Sequence, residues 1–206
     1  MERREFIEKF AVAVGGMVLV PSFASSIAYA GFQKFPEHTV EEGTAKIKFE
    51  IFSDFQCPAC AMHSEMLYKL REAHYQDTEF RLIHDPLAQH PNAYDAAKAS
   101  ECARDQGDFW RYAHLLYHNQ KLLGKKGVFF RMAGSLGLDV NKFKKAFEDN
   151  DGIKKKLIAG NKKEAKDRGV LYLPSFFIQG TYLGNEQEKS FENLSRIIEQ
   201  ELAKVK

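Results

Sequence analysis

From Lys46 the chain alternates, with Ile47, Phe49 and Ile51 on one side, Lys48 and Glu50 on the other, and Phe52 closing the run. A period of two in β-branched and aromatic residues predicts a strand. The period then changes. Pro58 begins a stretch to about Tyr75 in which Met66, Leu67 and Leu70 form an apolar stripe at helical spacing. Proline suits the first helical position, because it fixes φ and lacks only an N–H that would have had no helical partner. Glu79 to His84 predicts a second strand, ended by Asp85-Pro86.

Helical patterning dominates the next part of the chain. Pro91-Asn92 opens it, with Asn92 as a candidate N-cap, and Ala-rich residues continue through Cys102 to Gln106. Gly107-Asp108 restarts the helix at Phe109-Trp110, which runs to about Gln120. Asp139 caps a helix holding Val140, Phe143 and Phe147, and Gly152 to Arg168 predicts a strongly basic one that Gly169 ends. Strand patterning returns in Leu173-Pro174-Ser175-Phe176-Phe177-Ile178, and Gln179-Gly180 forms a two-residue turn into Thr181-Tyr182-Leu183. Glu186 to Val205 then places Phe191, Leu194, Ile198 and Leu202 on one helical face.

The junction of the first strand and helix is occupied by Cys57-Pro58-Ala59-Cys60. Thiols at i and i+3 can close a disulfide within one turn, and helix N-terminal N–H groups favour a negative sulfur on Cys57. This pattern points to a redox dithiol. Structural zinc requires four ligands, and no second pair completes such a site; His63, one turn on, could only join Cys60. Haem attachment would place histidine after Cys60, where Ala61 stands. Cys102, amid Ala96, Ala99 and Ala103, reads as a small core residue. His84, His90, His114 and His118 share no metal spacing. His114 and His118 are one helical turn apart, but Leu115 follows the first where a metalloprotease motif has glutamate, so they read as a solvated or packing pair. No cofactor and no metal is expected.

Residues 10–33 carry no charge, yet the apolar part, Phe10 to Val20, is too short for a span. Pro21 and the serines after it lead to Ala28-Tyr29-Ala30, an A-x-A site, so residues 1–30 read as a signal peptide cleaved after Ala30. Glu2, Glu5 and Glu8 cancel Arg3, Arg4 and Lys9. Arg3-Arg4-Glu5-Phe6-Ile7 resembles the twin-arginine export motif, and twin-arginine and general secretory routes both stay open. An uncleaved anchor is the alternative. Either way the domain would face a periplasmic or otherwise extracytoplasmic, oxidising compartment, where a dithiol can accept electrons. The formal net charge is +2, and without a clustered basic face it suggests no nucleic-acid partner. Lys154-Lys155-Lys156 and Lys162-Lys163 read as a solvated helix face.

The element order is that of an α/β thioredoxin fold with an inserted helical domain. Residues 31–43 form a lead-in, 44–90 and 169–206 the thioredoxin-fold domain, and 91–168 the insertion. Phe52-Ser53-Asp54-Phe55-Gln56-Cys57-Pro58-Ala59-Cys60 resembles the active-site segment of the DsbA-like thiol:disulfide oxidoreductases. His90-Pro91-Asn92-Ala93, Gln106-Gly107-Asp108-Phe109-Trp110 and Leu173-Pro174-Ser175-Phe176-Phe177 resemble later landmarks of that family in the same order. The resemblance spans residues 44 to 203. It implies Cys57 as the exposed nucleophilic sulfur, Cys60 as the buried one, and Pro58 and Ala59 in support. It also implies a cis bond before Pro174, with the Leu173 backbone beside Cys57 and open to an extended chain. The implied activity is disulfide formation in reduced exported polypeptides, with a membrane oxidoreductase for recycling; a disulfide reductase or isomerase working the same pair, or a metal-binding carrier, is the alternative.

Two residues depart from the family pattern. Relatives often carry a proton-relaying glutamate six residues before the first cysteine, where this chain has Ile51; Glu50 lies one residue earlier and so on the opposite face of the strand. Ala59 stands where strongly oxidising members have histidine, and it supplies neither charge nor donor to the thiolate. Trp110 and Tyr112 are expected to pack the helical domain. Phe55 and Tyr172 flank the two active-site segments, either as an apolar rim for unfolded substrates or as core.

Overall fold

The computed structural model describes residues 45–149, 152–184 and 189–205. The proposed signal peptide and lead-in lie outside the described residues, as do Glu186, Gln187 and Glu188 at the predicted start of the last helix. The elements are β1 (Ile47–Ser53), α1 (Pro58–His74), β2 (Thr78–His84), α2 (Ala93–Arg104), α3 (Phe109–His118), α4 (Val128–Ser135), α5 (Val140–Glu148), α6 (Ile153–Asp167), β3 (Ser175–Ile178), β4 (Thr181–Leu183) and α7 (Phe191–Lys204). None of the helices among the described residues is long and apolar enough to cross a membrane.

The four strands form one sheet in the order β2-β1-β3-β4. β1 and β2 run parallel with α1 as their crossover, whereas β3 pairs antiparallel with both β1 and β4. This mixed sheet, with five α-helices between β2 and β3 among the described residues, is the thioredoxin-like architecture expected from the element order. Alternation along β1 decides what each face packs against. Ile47, Phe49 and Ile51 join Leu67 and Leu70 of α1 and Leu194 and Ile198 of α7 in one core. Phe52 points the other way, to Phe177 of β3 and Ala165 of α6. The basic α6 therefore returns from the helical segment to cover the sheet. Lys155, Lys156, Lys162 and Lys163 are exposed, whereas Lys154 is partly buried with its Nζ 2.6 Å from Asp105; Lys162 Nζ also donates to the Pro86 carbonyl at 2.6 Å.

A separate core fills the space between α2, α3, α4 and α5. Its centre is α2, whose fully buried Ala96, Ala99, Cys102 and Ala103 let neighbouring helices approach closely. Tyr112 lies there and donates its hydroxyl to the Phe129 carbonyl at 2.9 Å. Trp110 bridges both cores and carries the Arg71 guanidinium of α1 over its ring at 5.2 Å. Helix α4 is missing from the sequence expectation. It is a short helix, and it starts from Gly127 at φ 67° rather than from a polar cap. The turn at Gln179-Gly180 has positive φ at both residues, 48° and 80°, which suits the right-handed twist of a two-residue hairpin. Ser190 caps α7 by accepting from the Asn193 N–H at 3.2 Å, so this helix begins at Phe191, the first residue of its apolar stripe.

Glu50 shows how the second face of β1 is held. It is buried and receives Arg168 at 2.8 Å and Arg81 at 3.3 Å, and both guanidiniums also reach Glu164 of α6. A carboxylate in such a place is tolerated because two cations compensate it, and losing it leaves them facing one partner. Glu50→Ala is expected to cost about 3 kcal/mol in urea unfolding. Lys48→Ala, which loses only the exposed 3.6 Å pair with Glu79, is expected to stay within about 0.5 kcal/mol.

Candidate active site

β1 delivers the chain into Ser53-Asp54-Phe55-Gln56, and Cys57 becomes the N-cap of α1 with extended backbone, φ −73° and ψ 123°. Pro58 takes the first helical position, as its fixed φ favours. The Cys57 carbonyl accepts the Ala61 N–H at 3.1 Å, so the helix closes directly over the sulfur. Cys57 and Cys60 are unbridged here, in the dithiol form.

The electrostatics of the pair are opposed. Cys57 is drawn well below the ordinary thiol range, to about 6. The largest cause is the Cys60 side chain donating to the Cys57 sulfur; backbone N–H groups of Cys60 and Ala59 add to it, while burial and the Asp54 carboxylate work against it. Cys60 is pushed far upward, first because its proton is engaged by Cys57 and then by burial, which Ser53 and the Asp54 backbone only partly offset. One thiolate and one thiol therefore share a proton-bridged pair at neutral pH. Cys102 is raised to about 12 by burial and is inert by comparison.

Residues from the β2–α2 connection and from the helical segment fix the loop that carries this pair. The Asp54 carboxylate accepts from the Gln56 N–H at 2.6 Å, the Leu87 N–H at 2.9 Å and His90 Nδ1 at 2.8 Å. Gln56 Oε1 accepts the Asn92 N–H at 2.7 Å; Asn92 sits at the N-cap of α2 but makes no side-chain cap bond. Gln120, just past α3, donates Nε2 to the Phe55 and Cys57 carbonyls, both at 2.9 Å. Beneath Cys60, Ser53 Oγ and the Tyr117 hydroxyl are 2.6 Å apart. Ser53 also hydrogen-bonds the Cys60 sulfur.

The Leu173–Pro174 bond is cis. Leu173 packs against the cluster containing both cysteines and against that of Phe52 and Phe177. Lys189 donates to the Pro174 carbonyl at 3.1 Å, and Ser175 Oγ to the Tyr172 carbonyl at 2.6 Å. Just before this turn Leu171 and Tyr172 are 81% and 75% exposed. Arg168, Val170, Leu171, Tyr172, Phe177 and Tyr182 line a pocket of about 210 Å³ there.

The expected sulfur exposure needs correction. Cys57 is only 8% exposed against 1% for Cys60, because it packs into the helical-domain core with Ala59 and Leu173. Phe55 is core, 4.8 Å from the Tyr117 ring, whereas Tyr172 is surface. His63 turns back to the Ala59 carbonyl at 2.8 Å. Ile51 and Glu50 face opposite sides, as the strand period required. Tyr117 and Gln120 escaped the sequence reading altogether: each is one polar residue near the end of a helix, and only the tertiary fold brings it to the cysteines. Among the described residues, one group is placed to hold a metal ion, Glu65 with His114 and His118.

The family model described as Thioredoxin matches residues 36–200, and the chain belongs to that family. Its fold is similar to that of solved DsbA-type thiol-disulfide oxidoreductases. MdbA of Corynebacterium diphtheriae, a thiol-disulfide oxidoreductase, is 25% identical with a TM-score of 0.63, over 79% of this chain and 87% of that one. BdbD of Bacillus subtilis shares the fold at 16% identity and a TM-score of 0.65, over 80% and 91% of the two chains. A further likeness, 29% identity over 130 residues, is to the Na(+)/H(+) antiporter NhaA 1 of Mycolicibacterium vanbaalenii. It covers 63% of this chain but only 21% of the antiporter.

In the reduced protein at pH 7, iodoacetamide is expected to label Cys57 while Cys60 and Cys102 stay unmodified, as mass spectrometry of quenched samples would read. Equal labelling of the three would contradict the site. The depressed Cys57 value also fixes a sign. Between about 6 and the ordinary thiol value near 8.5, the folded reduced chain binds fewer protons than the unfolded one, so its stability rises with pH. The oxidised protein lacks this titration. The stability of the reduced form relative to the oxidised is therefore expected to fall as pH drops from 8.5 through 6, by at most about 1.4 kcal/mol per pH unit.

Proposed function

We propose that this protein is exported and introduces disulfides into other exported polypeptides through Cys57 and Cys60. The observation that carries the reading is the split of the dithiol into a stabilised thiolate and a strongly held thiol, since stabilising the Cys57 thiolate favours the reduced form and makes the disulfide an oxidant. Export rests on the A-x-A leader pattern at Ala28-Tyr29-Ala30.

In the oxidised protein a substrate thiolate attacks Cys57. The Cys57–Cys60 bond breaks and its electron pair leaves on Cys60, which then takes a proton. A second substrate thiolate attacks the substrate sulfur of the mixed disulfide and expels Cys57 as thiolate. Two electrons thus pass from the substrate to the pair, and a membrane oxidoreductase takes them onward. Pro58 and Ala59 shape the helix start that holds the thiolate, and Leu173 and Pro174 present backbone to an extended substrate beside the exposed Leu171 and Tyr172. With alanine rather than histidine at position 59, the oxidising power is intermediate. Thioredoxin has a first-cysteine pKa of roughly 7 and DsbA roughly 3.5, and about 6 lies between them.

Equilibration with glutathione is expected to give a potential on the order of −150 to −230 mV, between about −270 mV for thioredoxin and about −120 mV for DsbA. Ala59→His is expected to make it less negative. A wild-type value at or below thioredoxin's would replace the donor with a reductase. Cys60→Ser is expected to trap mixed disulfides with reduced polypeptides and Cys57→Ser none.

A further inference from the structure

His114 and His118 are spaced i, i+4 on α3, which puts both rings on one face, 4.1 Å apart between centroids. Across from them, on α1, is Glu65. Its Oε2 lies 3.8 Å from His114 Nε2 and 3.9 Å from His118 Nε2. One ligand atom from each residue falls within 4.8 Å of the others. Two ligands at about 2.1 Å on a tetrahedral ion lie roughly 3.4 Å apart, so small side-chain rotations bring these three atoms to bonding positions.

The rings are oriented for this. His118 Nδ1 donates to the His114 carbonyl at 3.1 Å, which in the neutral ring places the proton on Nδ1 and leaves the Nε2 lone pair toward Glu65. The buried His114 ring is held against Tyr68 of α1 at 4.9 Å between centroids. Glu65 and His118 lie at the surface, so an ion can reach the site from solvent.

We propose that Glu65, His114 and His118 form a binding site for one divalent transition-metal ion of the zinc type, with a fourth position left to water. Two imidazole nitrogens and one carboxylate oxygen select zinc over calcium or magnesium, which take oxygen donors. The ligands come from two elements that meet only in the folded chain. Glu65 lies five residues, about 7.5 Å along the axis, beyond Cys60 on the helix that carries both redox thiols. A bound ion therefore pins that helix to α3 of the helical segment and stabilises the fold in proportion to occupancy.

The test is titration of the full oxidised chain with zinc chloride by calorimetry in a non-coordinating buffer; the closed Cys57–Cys60 disulfide keeps those sulfurs from competing. One saturable site per chain is expected, with zinc raising the melting midpoint. His118→Ala is expected to weaken binding at least 10-fold and Glu65→Gln several-fold. Both residues are surface-exposed, and a cooperative zinc-free melt verifies that each variant folds. No saturable binding, unchanged affinity in both variants, or calcium chloride binding as tightly as zinc would overturn the site.

Discussion

The hydrogen bond from the Cys60 thiol to the Cys57 sulfur is the interaction on which the chemistry of this molecule depends. It is the largest influence on both groups, and it acts in opposite directions on the two: it lowers Cys57 to about 6 and drives Cys60 upward. Such a bond requires one sulfur at the N-cap and the other one turn inside the helix, which the C-P-A-C spacing provides. It also requires that the pair be sheltered from water, since a solvated thiol would donate to water as readily. Packing of Cys57 and Cys60 into the helical-domain core meets that second requirement.

The helical segment is therefore part of the active site rather than an appendage. Gln56 ties the loop to Asn92, and Gln120 reaches back to two carbonyls around Cys57. Tyr117 meets Ser53 under Cys60. A chain reduced to its sheet and flanking helices would keep the CxxC and the Asp54 bonds but lose the contacts from Asn92, Tyr117 and Gln120. On the far side of the sheet, the Glu50 network ties α6 to β1 and β2, and its Arg168 lies over Phe177 at 4.0 Å, next to the pocket before the cis-proline turn.

What the sequence made legible is what repeats or is local. Strand and helix periods located β1, α1, β2, α6 and the β3–β4 hairpin, and Gln179-Gly180 announced its own turn. The two cysteines and the proline between them located the helix start at Cys57, because a helix start is a local feature. The opposite facing of Ile51 and Glu50 followed from strand alternation alone. Features set by distant contacts were hidden. Helix α4 has no polar cap, Tyr117 and Gln120 gain meaning only through the fold, and the near-burial of Cys57 depends on helices dozens of residues away. His114 and His118 were visible as a pair, but their carboxylate neighbour comes from another helix, where no spacing rule reaches it.

The relation between the two sulfurs is tested most directly by following thiolate absorbance near 240 nm in the reduced protein through pH, in the wild type and in Cys60→Ala. The wild type should show one thiolate forming with a midpoint near 6, and the variant should titrate well above it, back toward the ordinary thiol range near 8.5. A wild-type midpoint at the ordinary value, or a Cys60→Ala midpoint unchanged from the wild type, would contradict the claim that Cys60 holds Cys57 as a thiolate.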